Sequence, residues 1–289
     1  MPEARPTVHR RRLGSALRSL RRAAGLSMDE AAERLSLSGK PTLSKIENGK
    51  QRVQGLALTA FLEVYGVQDE VTRRTIREMA TLAASNRRTS LLDEYREAVQ
   101  TEGFEEYLHL EELACATEGY LLIVPGLLQT RDYAASIVER SQVWPSRREV
   151  DRFVDLRMAR QTALTRETPL VLSCILDEAA LRRTVGGRAT MKSQLERLLE
   201  VSEQRDNVKL RILPFEAGAH AGSDGSFQVL HFPAGPPVAV VEGKTTSVYL
   251  EETGDVDRYR SALDSLTGQA LDLGQTQRFL HDLIKDCYT

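Results

Sequence analysis

Eight side chains between positions 38 and 52 have the types and spacing to bind a polyanion and read its edges: Ser38, Lys40, Thr42, Ser44, Lys45, Asn48, Lys50 and Arg52. Hydroxyls, amides and amines of this reach bond to base edges in a groove or to the phosphates beside it, and a lysine can donate to guanine O6 or N7. If Leu43 and Ile46 face inward on a helix, its geometry throws Lys40, Pro41, Ser44 and Lys45 outward. Lys40, Thr42, Ser44 and Lys45 are then the expected base-facing set. Lys50 and Arg52, past the Asn48-Gly49 stop, are the phosphate set, and Ser38 and Asn48 flank the same face. Glu47 is of a different kind, because beside Ile46 it turns back toward the preceding helices. A buried pair with Arg21 or Arg18 would make it structural.

Those side chains need a rigid support, and the preceding residues supply one. Leu13, Leu17 and Leu20 recur at helical spacing and predict a helix from about Arg10 to Ala24, ended by Gly25. Ser27 and Glu30 form a Ser-x-x-Glu capping box for a second helix, in which Ala31 and Ala32 allow close approach and Leu35 faces the core. A polar turn follows at Ser36 to Gly39, so the whole reads as a helix-turn-helix. The alternative is a plain helical bundle with a solvated basic surface. Helices at about Leu56 to Tyr65 and Val71 to Ser85 would close the bundle, with Leu56, Leu58, Phe61, Leu62 and Val64 in its core.

The net charge of -2 conceals an asymmetry: residues 1–55 hold twelve Lys+Arg against five Asp+Glu, leaving 27 against 36 in the remainder. A basic head suits a polyanion, since neutralised phosphates release counterions. The acidic remainder is not expected to bind nucleic acid. Cys115, Cys174 and Cys287 are scattered and odd in number, so a disulfide framework and a zinc site are not expected. No metal or cofactor is predicted, because the five histidines never take ligand spacing and no nucleotide loop or nucleophile elbow appears. No apolar run is long enough for a membrane span, and the start of the chain lacks an apolar leader, so the expected location is cytoplasmic.

Polar and basic residues from Asn86 to Thr89 place the expected boundary, giving domains 1–86 and 87–289. The second opens with helical patterning from Leu91 to Ala116. Strands are then predicted at Tyr120–Val124, Leu170–Leu176, Val208–Leu213, Phe227–Phe232, Val238–Val241 and Val248–Leu250. Helices are predicted near Arg131–Arg140, Arg147–Leu164, Asp177–Arg183, Ala189–Gln204, Asp255–Leu271 and Gln275–Asp286. The fold class is therefore a mainly α helix-turn-helix bundle followed by an α+β domain with a mostly antiparallel sheet. Trp144, Asp177, His220, Asp224 and Phe227 are the candidate ligand or partner residues of that domain. The glycines around His220 and Asp224 also fit an ordinary loop, and Asp177-Glu178 also fits a helix N-terminus. The chain is not expected to be an enzyme. An enzymatic alternative, a hydrolase-like domain on a DNA-binding head, would have to use His220 and Asp224 with Asp177 or Glu178.

The Gly25-Leu26-Ser27 entry and Ile46-Glu47-Asn48-Gly49 exit resemble XRE-type helix-turn-helix domains. The remainder resembles WhiJ-like actinobacterial regulators through Val124–Ala134, Arg157–Gln161, Leu176–Arg183 and Leu213-Pro214-Phe215 with Gly218, His220, Gly222 and Gly225. This resemblance implies a cytoplasmic transcription factor associated with small acidic partner proteins. The expected mode of action is that of a homodimer, repressor or activator, on a double-stranded operator, controlled by such a partner protein or by a small molecule. The chain departs from that pattern at Met28, where Gln is usual, and in a turn that reads one residue longer, at Ser38–Thr42.

Overall fold

A computed structural model of the chain describes residues 6–84, 90–95, 102–141, 146–243 and 246–288. The boundary expected at Asn86–Thr89, Trp144 and the Cys287 side chain lie outside the described residues. The chain divides into two compact units, Met1–Arg88 with Phe232–Pro237, and Thr89–His231 with Val238–Thr289.

In the first unit, α1 (Val8–Ala23) starts earlier than periodicity predicts because Thr7 Oγ1 accepts a bond from Arg10 N at 3.4 Å. Then comes α2 (Met28–Arg34), which carries the complete capping box: Glu30 N donates to Ser27 Oγ at 3.2 Å and Ser27 N to Glu30 Oε2 at 2.9 Å. The next helix, α3 (Lys40–Glu47), begins at Gly39, whose φ of 122° is open to glycine and strained for other residues. Pro41 lies in its first turn, where a missing N–H leaves no bond unmade. The longer turn expected at Ser38–Thr42 is thus corrected: Lys40, Pro41 and Thr42 are already helical. Helices α4 (Gly55–Val64) and α5 (Glu70–Ala84) complete the bundle.

Leu13, Leu17, Leu43, Ile46, Leu58, Phe61, Leu62 and Ile76 form its core. Leu56 does not join them and is 90% exposed, because Leu58, Phe61 and Leu62 take the inner face of α4 while Val53, just before it, is buried. Residues 232–237 also belong to this unit. The Arg12 guanidinium, only 1% exposed, lies 3.7 Å from the Phe232 ring centroid and donates to the Pro236 carbonyl at 2.8 Å.

The second unit contains α6 (Ser90–Glu94), α7 (Glu102–Leu113) and a mixed six-stranded sheet in the order β3-β2-β1-β4-β5-β6. Its strands are β1 (Ala116–Leu121), β2 (Val171–Asp177), β3 (Val208–Leu213), β4 (Phe227–His231), β5 (Val238–Glu242) and β6 (Ser247–Leu250). The pairs β1/β2 and β2/β3 are parallel and the other three antiparallel. Parallel neighbours need long crossovers. These are α8 (Arg131–Arg140) with α9 (Arg147–Arg160), and α10 (Glu178–Arg182) with α11 (Arg188–Gln204). At the end of the chain come α12 (Thr253–Gln269), which packs on the sheet, and α13 (Leu273–Tyr288), which packs on α11 and β3.

The strand predicted at Tyr120–Val124 is displaced, since pairing runs from Ala116 to Leu121 and Leu122 and Ile123 are exposed. Pro125 ends the apolar run in a short 3-10 turn. Helical patterning predicted through Ala116 likewise stops at Leu113, and α9 gives way to a 3-10 turn at Gln161–Leu164.

Candidate nucleic-acid interface

Helix α3 is fixed from behind. A carboxylate buried to 3% exposure, that of Glu47, receives a forked contact from Arg21, with Nε to Oε1 at 2.7 Å and Nη2 to Oε2 at 3.1 Å. Arg21 also donates to the Leu26 carbonyl at 2.8 Å, tying the exit of α1 to the end of α3, and Arg18 Nε lies 3.6 Å from Glu47 Oε2. The bond that Arg21 donates to Glu47 raises the Arg21 pKa against the opposing effect of burial. Gly14 sets the spacing of the helices, because a Cβ there would stand 2.6 Å from the Glu47 carbonyl oxygen and 2.7 Å from that of Ile46.

On the opposite side, Ser38, Lys40, Lys45, Asn48, Lys50 and Arg52 are exposed, and Thr42 and Ser44 are half-buried. The structure brings all eight to α3 and its flanks. Some already have partners: Ser38 Oγ and Thr42 Oγ1 are 2.6 Å apart, Asn48 Nδ2 donates to Ser44 Oγ at 3.3 Å, and Arg18 Nη2 donates to Asn48 Oδ1 at 2.5 Å. Lys40, Lys45 and Arg52 make no ion pair among the described residues, so their charge is available to an external anion. The start of α2 differs, because the Glu30 carboxylate accepts from the Ser27 backbone N–H and bonds from Ser27 hold its pKa below the usual range. Nothing in α3 plays that part, since its N-terminus has no side-chain cap.

In the second unit, Tyr120 OH donates to Asp177 Oδ2 at 2.7 Å, and the His220 ring centroid lies 5.4 Å from that of Tyr120. Asp177 also caps α10 through Ala179 N, and Gly222 N donates to His220 Nδ1 at 3.1 Å. Asp224 and Phe227 line a neighbouring cavity of about 370 Å³, walled by Val241, Leu250 and Tyr259. Asp177 and His220 are thus joined through Tyr120, and Asp224 and Phe227 through the cavity. Burial pushes the Cys174 thiol up to about 12, which suits a packing role.

Several groups escaped the sequence pattern. Arg160 and Glu111 form a buried two-point pair at 2.8 and 2.7 Å, although each occupies a helix position that reads as solvated surface. Gln129, Gln161 and Gln194 bond carbonyls of the 124–129 segment, and no local signal marks glutamines as buried partners.

The bundle and its exposed α3 define a helix-turn-helix DNA-binding regulator, and the family model described as "Helix-turn-helix domain" matches residues 12–75. The chain belongs to the family described as "Domain of unknown function (DUF5753)", whose model matches residues 104–282. No curated protein and no solved structure matches the chain. Among the described residues no helix is long and apolar enough to cross a membrane, and no cluster of His, Cys, Asp and Glu could hold a metal ion.

Proposed function

We propose that this protein is a sequence-specific regulator of the XRE type that inserts α3 into the major groove of an operator. The observation that carries this reading is the outward face of α3, where Lys40 and Lys45 stand exposed, without ion pairs among the described residues, on a helix anchored by Arg21 and Glu47. Lys40, Thr42, Ser44 and Lys45 face the bases, Lys50 and Arg52 take phosphates, and Ser38 and Asn48 hold the ends of the face in register through their bonds to Thr42, Ser44 and Arg18. A homodimer would read two half-sites about 34–36 Å apart, or a multiple of that spacing.

The second unit acts as the control module of a cytoplasmic, WhiJ-like regulator. A cavity of about 370 Å³ beside Asp224 and Phe227 favours a small-molecule effector over a small acidic protein, since it falls within the usual range for ligand pockets. Phe227 and Val241 lie on β4 and β5, and the segment that joins those strands, residues 232–237, belongs to the DNA-binding unit. Ligand-induced change in those two strands therefore has a covalent route to residues 232–237, which hold Arg12 of α1 through the Phe232 ring and the Pro236 carbonyl. Selection of duplexes from a random pool by the full chain tests the reading: recovery of a palindromic consensus supports it, and recovery of no consensus at low salt contradicts it.

A further inference from the structure

In the second unit a separate cavity of about 80 Å³ lies where Val124–Gln129 meets Arg157 and Arg160 of α9. It shares no lining residue with the larger cavity. Its two cations are in different states. Arg160 is neutralised by its forked contact with Glu111 and stacked near Phe104 and Tyr107, with ring centroids 5.4 and 5.2 Å away. Arg157 also has an aromatic neighbour, its guanidinium lying 5.1 Å from the Phe153 ring centroid, but among the described residues it has no carboxylate partner: its one hydrogen bond there runs from Nη1 to Gln129 Oε1 at 2.8 Å, and its Nε is buried with no acceptor. Burial lowers this guanidinium to about 10 and the Arg160 cation acts in the same direction, while Glu242 at the exposed rim opposes both. At neutral pH Arg157 is therefore a charged group with a donor edge unused.

The same cavity lining carries a second donor, Gln228. Gln228 Oε1 accepts from Tyr107 OH at 3.3 Å, and its amide NH2 has no acceptor among the described residues. Leu121, Ile123, Val124 and Leu172 supply an apolar lining. Gln129 and Gln161 bond the carbonyls of Val124 and Gly126, so the wall is preorganised.

We propose that this cavity binds a small carboxylate, the carboxyl group lying against the Arg157 guanidinium and reaching the Gln228 amide, the carbon tail against the aliphatic wall. Two donor side chains on one cavity lining match two oxygens, and guanidinium is the side chain best shaped for a planar carboxylate. The small volume of about 80 Å³ favours a guest of a few carbon atoms.

Calorimetric titration of the full chain with sodium acetate, propionate and isobutyrate, at ionic strength held with chloride, tests this inference. Saturable binding of at least one of them is expected, with acetamide inert and affinity reduced at least tenfold in Arg157→Gln and severalfold in Gln228→Leu. Absence of saturable binding by all three, equal binding of acetamide, or undiminished affinity in Arg157→Gln overturns it. Should Arg157→Gln fail to fold, undiminished affinity in Gln228→Leu overturns it instead. DNA is absent from the measurement, so the outcome is independent of the regulator reading.

Discussion

Replacing Arg21 by Ala should leave the Glu47 carboxylate buried at 3% exposure and deprived of both close contacts, at 2.7 and 3.1 Å. Breaking a buried pair from one side costs about 3–5 kcal/mol. Arg18 remains 3.6 Å from Oε2 but is itself 23% exposed, so it screens the orphaned charge only in part and the expected loss is near the lower end, about 3 kcal/mol. That is more than a hundredfold in the ratio of closed to open first unit, and about 12–24 °C in its melting midpoint for a domain of this size. Hydrogen exchange of the full chain, followed on amides of α1, α2 and α3, isolates this unit from the other. The double replacement Arg21→Met with Glu47→Leu removes the stranded charge and should recover most of the loss, because a buried pair and a well-packed apolar pair are often of similar stability. A loss below about 1 kcal/mol in Arg21→Ala, or a double variant less stable than Arg21→Met alone, would refute the reasoning.

Three further outcomes follow from named contacts. Gly14→Ala must push α1 away from backbone carbonyls at 2.6 and 2.7 Å, so it should lower stability by about 1–3 kcal/mol or more in exchange measurements and weaken DNA binding with it. Leu56→Lys, at a side chain 90% exposed, should leave the unfolding midpoint unchanged within about 0.5 kcal/mol. Glu30 has a depressed pKa, so its contribution is complete above the ordinary value of 4.5 and is lost as pH falls through the lower folded value. Protection of the Ser27 amide, which donates to the Glu30 carboxylate, should therefore decline below about pH 4.5 in the native protein and stay flat with pH in Glu30→Gln, as followed by NMR.

The helix-turn-helix was legible because its determinants are local: a Ser-x-x-Glu box, glycines at the turns, and Leu43 and Ile46 three residues apart. Strand β1 was misplaced by the same kind of reasoning. Its ladder runs through Thr117, Glu118 and Gly119, which look unlike a buried strand, whereas Leu122 and Ile123 look like one and are exposed. Which residues pair is decided by β2 and β4, distant in sequence. The place of residues 232–237 against Arg12, the Arg160 pair with Glu111 and the buried glutamines are equally non-local, and charged or amide side chains on helices carry no sign of burial until their partners are known. The eight residues around α3 were legible as a face, but the bonds among Ser38, Thr42, Ser44, Asn48 and Arg18 were not.

The central claim is that the exposed face of α3 reads DNA, and fluorescence anisotropy of Lys45→Ala against the selected operator tests it most directly. The expected result is a loss of about 1–3 kcal/mol in discrimination against a duplex altered at the contacted base, with folding unchanged. Lys45→Ala that binds the operator as tightly and as selectively as the native chain would contradict it.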